Sequence, residues 1–299
     1  MAEIGAVRFA QVARDVAEGV VPRYRSPFSK HTFTQPSLLA ILCLMRYEDW
    51  TYREAEVHLR EHAELRAALG LERVPDYSTL YRCVRRTSED ELTRLLQETL
   101  RRMPPPPPDG TTVAVDGTGL ASGAISTFFV SRVRDRGEGF TWRHWPKWVV
   151  VVDLPRQIIL AQVAKPGPTN DGATLRPLLE QARHLAPIRC VLADGEFDSE
   201  LNHTFIRQVV GADSTIPAKR GKRTWRLHGV RAQMRAHFPV APYRQRALIE
   251  SVFSAAKRKL SARAAGRSSA TQQVQALLLG IAFNVYRLRL HLPFAPLLC

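Results

Sequence analysis

Apolar residues recur three and four apart through residues 37–46 behind Pro36, through 52–69 up to Gly70, and through 78–103 with an interruption near Thr87. This spacing predicts amphipathic helices, and no alternating strand pattern competes with it. The run Pro104 to Pro108, followed by Asp109 and Gly110, ends the helical stretch. Proline lacks the amide hydrogen that a helix needs, so the run predicts an extended linker of polyproline form. Beyond it the texture changes to short apolar runs at 111–115, 126–133, 148–153, 158–164 and 190–193, which read as strands. Helical spacing returns at 174–184, from Asp198 as an N-cap with Glu200 in the first turn to 210, and at 270–290. Strands interleaved with helices predict a mixed α/β domain over 111–299, after an all-α domain over 1–103 and a Pro-rich linker over 104–110.

Composition narrows the function classes. The chain has 299 residues, 45% of them hydrophobic, enough for two domains with cores of their own and too apolar for general disorder. Lys and Arg number 43 against 28 Asp and Glu, a net charge of +15. Clustered cations gain affinity by releasing counterions from nucleic-acid phosphates, so the charge points to a polyanionic partner. A membrane surface is the rival, but neither terminus carries a convincing basic amphipathic helix or lipidation site. With no leader pattern and no apolar run near the ~20 residues of a membrane span, a soluble, cytoplasmic, nucleoid-associated protein is expected. Cys43, Cys83, Cys190 and Cys299 lack the spacing of a zinc ribbon or disulfide framework and read as incidental thiols.

Candidate chemistry sits where apolar runs end. Val113-Ala114-Val115-Asp116-Gly117 and Val191-Leu192-Ala193-Asp194-Gly195 each place a carboxylate at the end of a buried strand. Ligands bind at such strand ends, and two converging carboxylates suit hard divalent cations; a plain Asp-Gly turn is the alternative for either one alone. A third feature is the segment from Pro242 to Lys257, expected to be one helix. On a helical wheel Tyr243, Arg246, Glu250 and Lys257 fall within an arc of about 60°. Leu248, Ile249, Val252, Ala255 and Ala256 lie opposite and are expected to pack on the sheet. One acid is thus held inside a basic, aromatic stripe, although such a helix could also be structural.

The spacing Tyr243, Arg246, Glu250, Lys257 resembles the Tyr-Arg-Glu-Lys signature of bacterial insertion-sequence transposases of the DDE class. Residues 37–86 and the block from Ala193 to Asp198 also resemble that family, while residues 1–25 and 290–299 are uninformative. The resemblance implies a ribonuclease-H-like α/β catalytic domain behind a helical domain for DNA binding or dimerisation. It implies that Asp116, Asp194 and Glu250 bind two Mg2+ ions, with Mn2+ as a substitute, for cleavage and strand transfer. Tyr243, Arg246 and Lys257 are implied to hold DNA phosphates. The implied partners are double-stranded DNA, at the element's terminal inverted repeats and at the target, and further copies of the chain in a dimer or larger assembly. Several relatives carry a long β-rich insertion before the glutamate helix; here 214–241 leave only 28 residues, so the cleavage route, by hairpin or otherwise, stays open.

Other signals are less specific. Lys219, Arg220, Lys222, Arg223 and Arg226 surround Trp225, which reads as a phosphate-tracking loop with a base-stacking aromatic or as a solvated loop. Arg258 extends the basic stripe of the glutamate helix. Residues 52–86 read as a helix-turn-helix with Arg82, Arg85 and Arg86 towards DNA, or as a plain helical bundle. His58, Glu61 and His62 spell His-x-x-Glu-His, a pattern of some zinc peptidases. No cysteine or further histidine lies nearby, so a solvated helix face is the expectation. The rival functions are a two-metal nuclease without strand transfer and a transposase-derived DNA-binding regulator.

Overall fold

The computed structural model describes residues 4–28, 30–122, 145–219, 228–266 and 268–291. The chain divides into two compact units, Met1–Pro106 with Leu278–Cys299, and Pro107–Leu277. The first division falls within the expected linker at 104–110. The second falls inside the last helix, which is expected wholly in the α/β domain.

The first unit is helical: α1 (Ala6–Glu18), α2 (Gln35–Tyr47), α3 (Tyr52–Glu61), α4 (Ala63–Leu69), α5 (Tyr77–Arg86) and α6 (Glu89–Arg101). Helix α2 lies at its centre, buried from Pro36 to Arg46. Helix α1, for which the sequence reading proposed nothing, buries Phe9, Ala10, Val12, Ala13, Val16 and Ala17, with the Phe9 ring stacked 4.2 Å from Tyr47. The single helix expected over 52–69 is two: the backbone at His62 is extended (φ −106°, ψ 101°), and the turn lets Leu65, Ala68 and Leu69 of α4 bury, with α4 against α1. Thr51 with Glu54 and Ser88 with Glu91 form reciprocal capping boxes that start α3 and α6. The second box sets the interruption expected near Thr87.

The second unit is built on a five-stranded mixed sheet of β1 (Thr111–Gly119), β2 (Pro146–Asp153), β3 (Ile158–Pro166), β4 (Ile188–Ala193) and β5 (Asp213–Thr215), in the order β3-β2-β1-β4-β5. The first three strands pair antiparallel, and β4 and β5 add in parallel. Buried runs Val113–Val115, Trp148–Val152 and Val191–Ala193 form its centre, the continuous apolar pattern of strands covered on both faces. The strand expected at 126–133 lies outside the described residues. Helix α7 (Leu175–Arg183) buries Leu175, Leu178, Leu179 and Ala182 and contacts β2 and β3.

Helix α8 (Glu200–Thr204) runs into a wider π turn, Phe205–Val210. Its N-cap is Ser199, not Asp198: the Ser199 hydroxyl accepts from the Asn202 amide. Asp198 is buried and ion-paired with Arg231 instead (2.7 Å), on α9 (Gly229–Ala236). The chain then passes through α10 (Val240–Tyr243) and the tight 3-10 turn Arg244–Arg246 into α11 (Ala247–Lys259), and ends in α12 (Ser269–Leu288). Among the described residues no helix is long and apolar enough to cross a membrane.

Candidate active site

Strand pairing sets the first two acids side by side. Val115 is the parallel partner of Ala193, so Asp116 and Asp194 follow from neighbouring strands that point the same way. The Asp116 carboxylate accepts from the Gly117 amide (2.8 Å). Asp194 accepts from the Glu196 amide (2.8 Å) and caps the 3-10 turn Gly195–Phe197.

Glu250 stands in the first turn of α11, which contacts β1. That helix is seated by buried Ile249, Val252, Phe253 and Ala256, with Phe253 set edge-on to Trp148 at 5.8 Å. One uninterrupted helix from Pro242 was expected, with Leu248 inward. The 3-10 turn, at three residues per turn, shifts the register. Leu248 is therefore 38% exposed, and Phe253 takes a place on the sheet side.

The turn also aims Arg246. Its guanidinium donates to Asp116 at 2.6 Å and reaches Glu250 at 3.5 Å, so one cation touches acids from β1 and α11. Burial pushes the Asp116 carboxyl up, and the charge of Asp194 adds to this, against the pull of Gly117 and Arg246. The two aspartates are thus in electrostatic reach of each other. Tyr243, whose hydroxyl burial pushes up, lies 5.9 Å from the Arg246 guanidinium and edge-on to Phe238. Lys257 donates to Thr118 on β1 at 2.6 Å, and burial lowers its ammonium pKa. Five of the sequence-predicted residues, Asp116, Asp194, Tyr243, Arg246 and Glu250, therefore gather in one place, with Lys257 on the same helix as Glu250.

Could these acids hold metal? Among the described residues the one trio with ligand atoms all within 4.8 Å of one another is His58, Glu61 and His62. The three acids thus stand wider apart than the donors of a single ion. A pair of ions roughly 3.5–4 Å apart spreads its ligands more widely. The donor set is all oxygen, carries adjacent like charges, and is bridged by a guanidinium that stands in for a cation. Its chemistry suits hard divalent cations.

The other predicted residues divide. The Lys219 amide donates to Asp198 (2.8 Å) and its ammonium reaches the Glu196 carbonyl (3.4 Å), which ties it to the loop after Asp194. Arg220, Lys222, Arg223, Trp225 and Arg226 lie outside the described residues. Arg258 is exposed on α11. Arg82, Arg85 and Arg86 are exposed on α5 of the first unit, and Arg85 lies over the Tyr81 ring at 6.0 Å. The first of the two helices expected to form a helix-turn-helix is broken into α3 and α4.

Sequence reasoning missed the cluster beside β1. Asp171 is buried and pairs with Lys147 (2.5 Å) and Lys165 (2.8 Å), while Lys147 lies 3.6 Å from Glu196, two residues past Asp194. Burial opposes the charge on Lys147, but Asp171 and Glu196 outweigh it and hold the ammonium above its usual range. A Cβ on Gly117 would stand 2.6 Å from the Asp171 carboxylate, so glycine is what lets this cluster approach the strand. The one available signal was Lys147 at the head of an otherwise apolar strand.

Comparison with known proteins agrees with this geometry. The family described as "Transposase DDE domain" matches residues 107–285, more than half of the chain. No curated protein matches the sequence. A solved structure, a piggyBac transposase synaptic complex with hairpin DNA determined by cryo-EM, superposes with a TM-score of 0.50 at 9% identity, over 95% of this chain and 72% of that one. At that identity the likeness speaks for the fold alone, which is ribonuclease-H-like with a helical amino-terminal region. The match, which spans the sheet, both aspartates and the α11 helix, places this chain in the transposase DDE domain family.

Proposed function

We propose that this transposase cuts DNA at the ends of an insertion sequence and joins the freed 3′-hydroxyls to target DNA. The observation that carries the reading is the convergence of Asp116 and Asp194 from parallel strands with Glu250 across the Arg246 guanidinium. Asp116, Asp194 and Glu250 would hold two divalent ions, Mg2+ or in its place Mn2+. Bound there, these supply an activated water or 3′-hydroxyl and a stabilised leaving oxygen for in-line phosphoryl transfer.

The chain's own residues do the rest. Arg246 offers a planar fork that suits a phosphate, and Lys257 offers a point charge from the same side. Tyr243 stands beside Arg246 and orders the entrance. Lys219, Arg220, Lys222, Arg223, Trp225 and Arg258 extend the basic track, and Arg82, Arg85 and Arg86 hold DNA from the first unit. The partners are the element's terminal inverted repeats and target DNA, engaged by a dimer or larger assembly.

The test is incubation of the purified protein with DNA that carries the element's ends, in Mg2+. Joined products in the wild type, with binding but no cleavage in Glu250→Gln, are expected. Nicks without joined product would favour a two-metal nuclease, and binding unchanged by every acid substitution without any cleavage would favour a DNA-binding regulator.

A further inference from the structure

The first unit contains chemistry that DNA cleavage does not use. At the end of α3, one ring nitrogen of His58, one of His62 and a carboxylate oxygen of Glu61 lie within 4.8 Å of one another. His58 and His62 are four apart on the helix, and the extended backbone at His62 ends it there.

Both rings are held. The His58 ring stacks on Trp50, with centroids 4.3 Å apart and planes 18° apart. Nδ1 of His62 lies 2.9 Å from the His58 carbonyl. A carbonyl only accepts, so Nδ1 carries the hydrogen and the neutral ring keeps its lone pair on Nε2. An imidazole fixed by a bond from its other nitrogen to a backbone carbonyl is how metal-ligating histidines are commonly oriented. Among the described residues the Glu61 carboxylate has no hydrogen bond or ion pair, whereas the neighbouring Arg60 is paired with Glu56 and Arg66 with the carbonyls of Leu59 and Arg60. Glu48 lies in electrostatic reach of His58 and adds negative charge.

We propose that His58, Glu61 and His62 form a binding site for a borderline divalent metal such as Zn2+, which fastens the end of α3 to the turn into α4. Two imidazoles and a carboxylate are the donor set of three-ligand zinc sites, with a fourth position left to water. Tetrahedral donors at zinc lie about 3.4 Å apart, and the trio's ligand atoms already lie within 4.8 Å of one another. The Asp116 site, with oxygen ligands only, selects harder ions.

The test is calorimetric titration of Zn2+ into the full chain in an Asp116→Asn, Glu250→Gln background, which removes the other candidate metal site. One equivalent should bind. Glu61→Gln and His62→Ala should each weaken that binding about tenfold or more, with the helical circular dichroism unchanged. Cobalt substitution should give the visible bands of a four-coordinate ion, and His62→Ala should remove them. No binding in the parent, or affinity unchanged from the parent in His62→Ala or Glu61→Gln, overturns the proposal.

Discussion

The Arg246 guanidinium donates to the Asp116 carboxylate across 2.6 Å, and the two residues are 130 positions apart in the chain. The same guanidinium reaches Glu250. Without DNA it is therefore the counter-charge of the very acids proposed to hold metal. Arg246→Gln removes this competitor, and the affinity of the DNA-free protein for Mg2+ should rise by about three- to tenfold, near 1 kcal/mol. Calorimetry measures it directly. In parallel the affinity for DNA should fall, with the salt slope reduced by about 1.

Lys257 donates to Thr118 on β1 from the helix that carries Glu250. Lys257→Ala should weaken DNA binding by about tenfold at low salt and reduce the slope of log K against log salt by about 1. Glu250→Gln should leave that slope in place and abolish cleavage. Fluorescence anisotropy across a salt series checks both. Equal loss of binding in the two variants would contradict the assignment.

Gly117 keeps the Asp171 cluster close to β1. In Gly117→Ala the new methyl meets the Asp171 carboxylate at 2.6 Å and Lys147 at 3.2 Å. Overpacking of this kind costs about 1–3 kcal/mol. Urea denaturation should show that loss, and because Asp116 precedes the site of strain, cleavage should fall as well.

Asp198 joins the stretch after the second aspartate to α9. Burial alone would push its carboxyl up, but the His203 ring nitrogen 3.5 Å away and hydrogen bonds from Arg231 and the Lys219 amide outweigh this and hold it well below the usual carboxylate range. A lowered folded pKa contributes stability above the ordinary value of 3.8, and that contribution is lost as the pH falls through the folded value. Asp198→Asn should therefore cost about 2–3 kcal/mol at pH 7, less than a fully buried pair because Arg231 is 28% exposed. It should also flatten the decline of stability below about pH 4. Thermal unfolding from pH 7 to pH 3 reads both.

Much of this was legible in the sequence. Asp116 and Asp194 stand out because each follows an uninterrupted apolar run and precedes glycine; Asp194 does end its strand, whereas β1 continues through Asp116 to Gly119, held by its pairing with β2. Glu250 was marked by the resemblance of the Tyr243, Arg246, Glu250, Lys257 spacing to the family signature. The rest depends on contacts between distant residues. The 3-10 turn at Arg244–Arg246 consists of good helix formers, so nothing local announces it. Ser199 and Asp198 are equally suited to cap α8, and only Arg231, 33 residues later, decides between them by taking the aspartate. The break at His62 has no glycine or proline to mark it. Its cause is burial of the α4 leucines.

Parallel pairing of β1 with β4, followed by arrival of α11, means that the proposed cutting centre is completed late in synthesis. A growing chain that ends between Asp194 and Gln245 carries both aspartates, yet it has neither the glutamate nor the arginine that balances them. Under the proposed function, a fragment of that kind lacks one of the three metal-holding carboxylates.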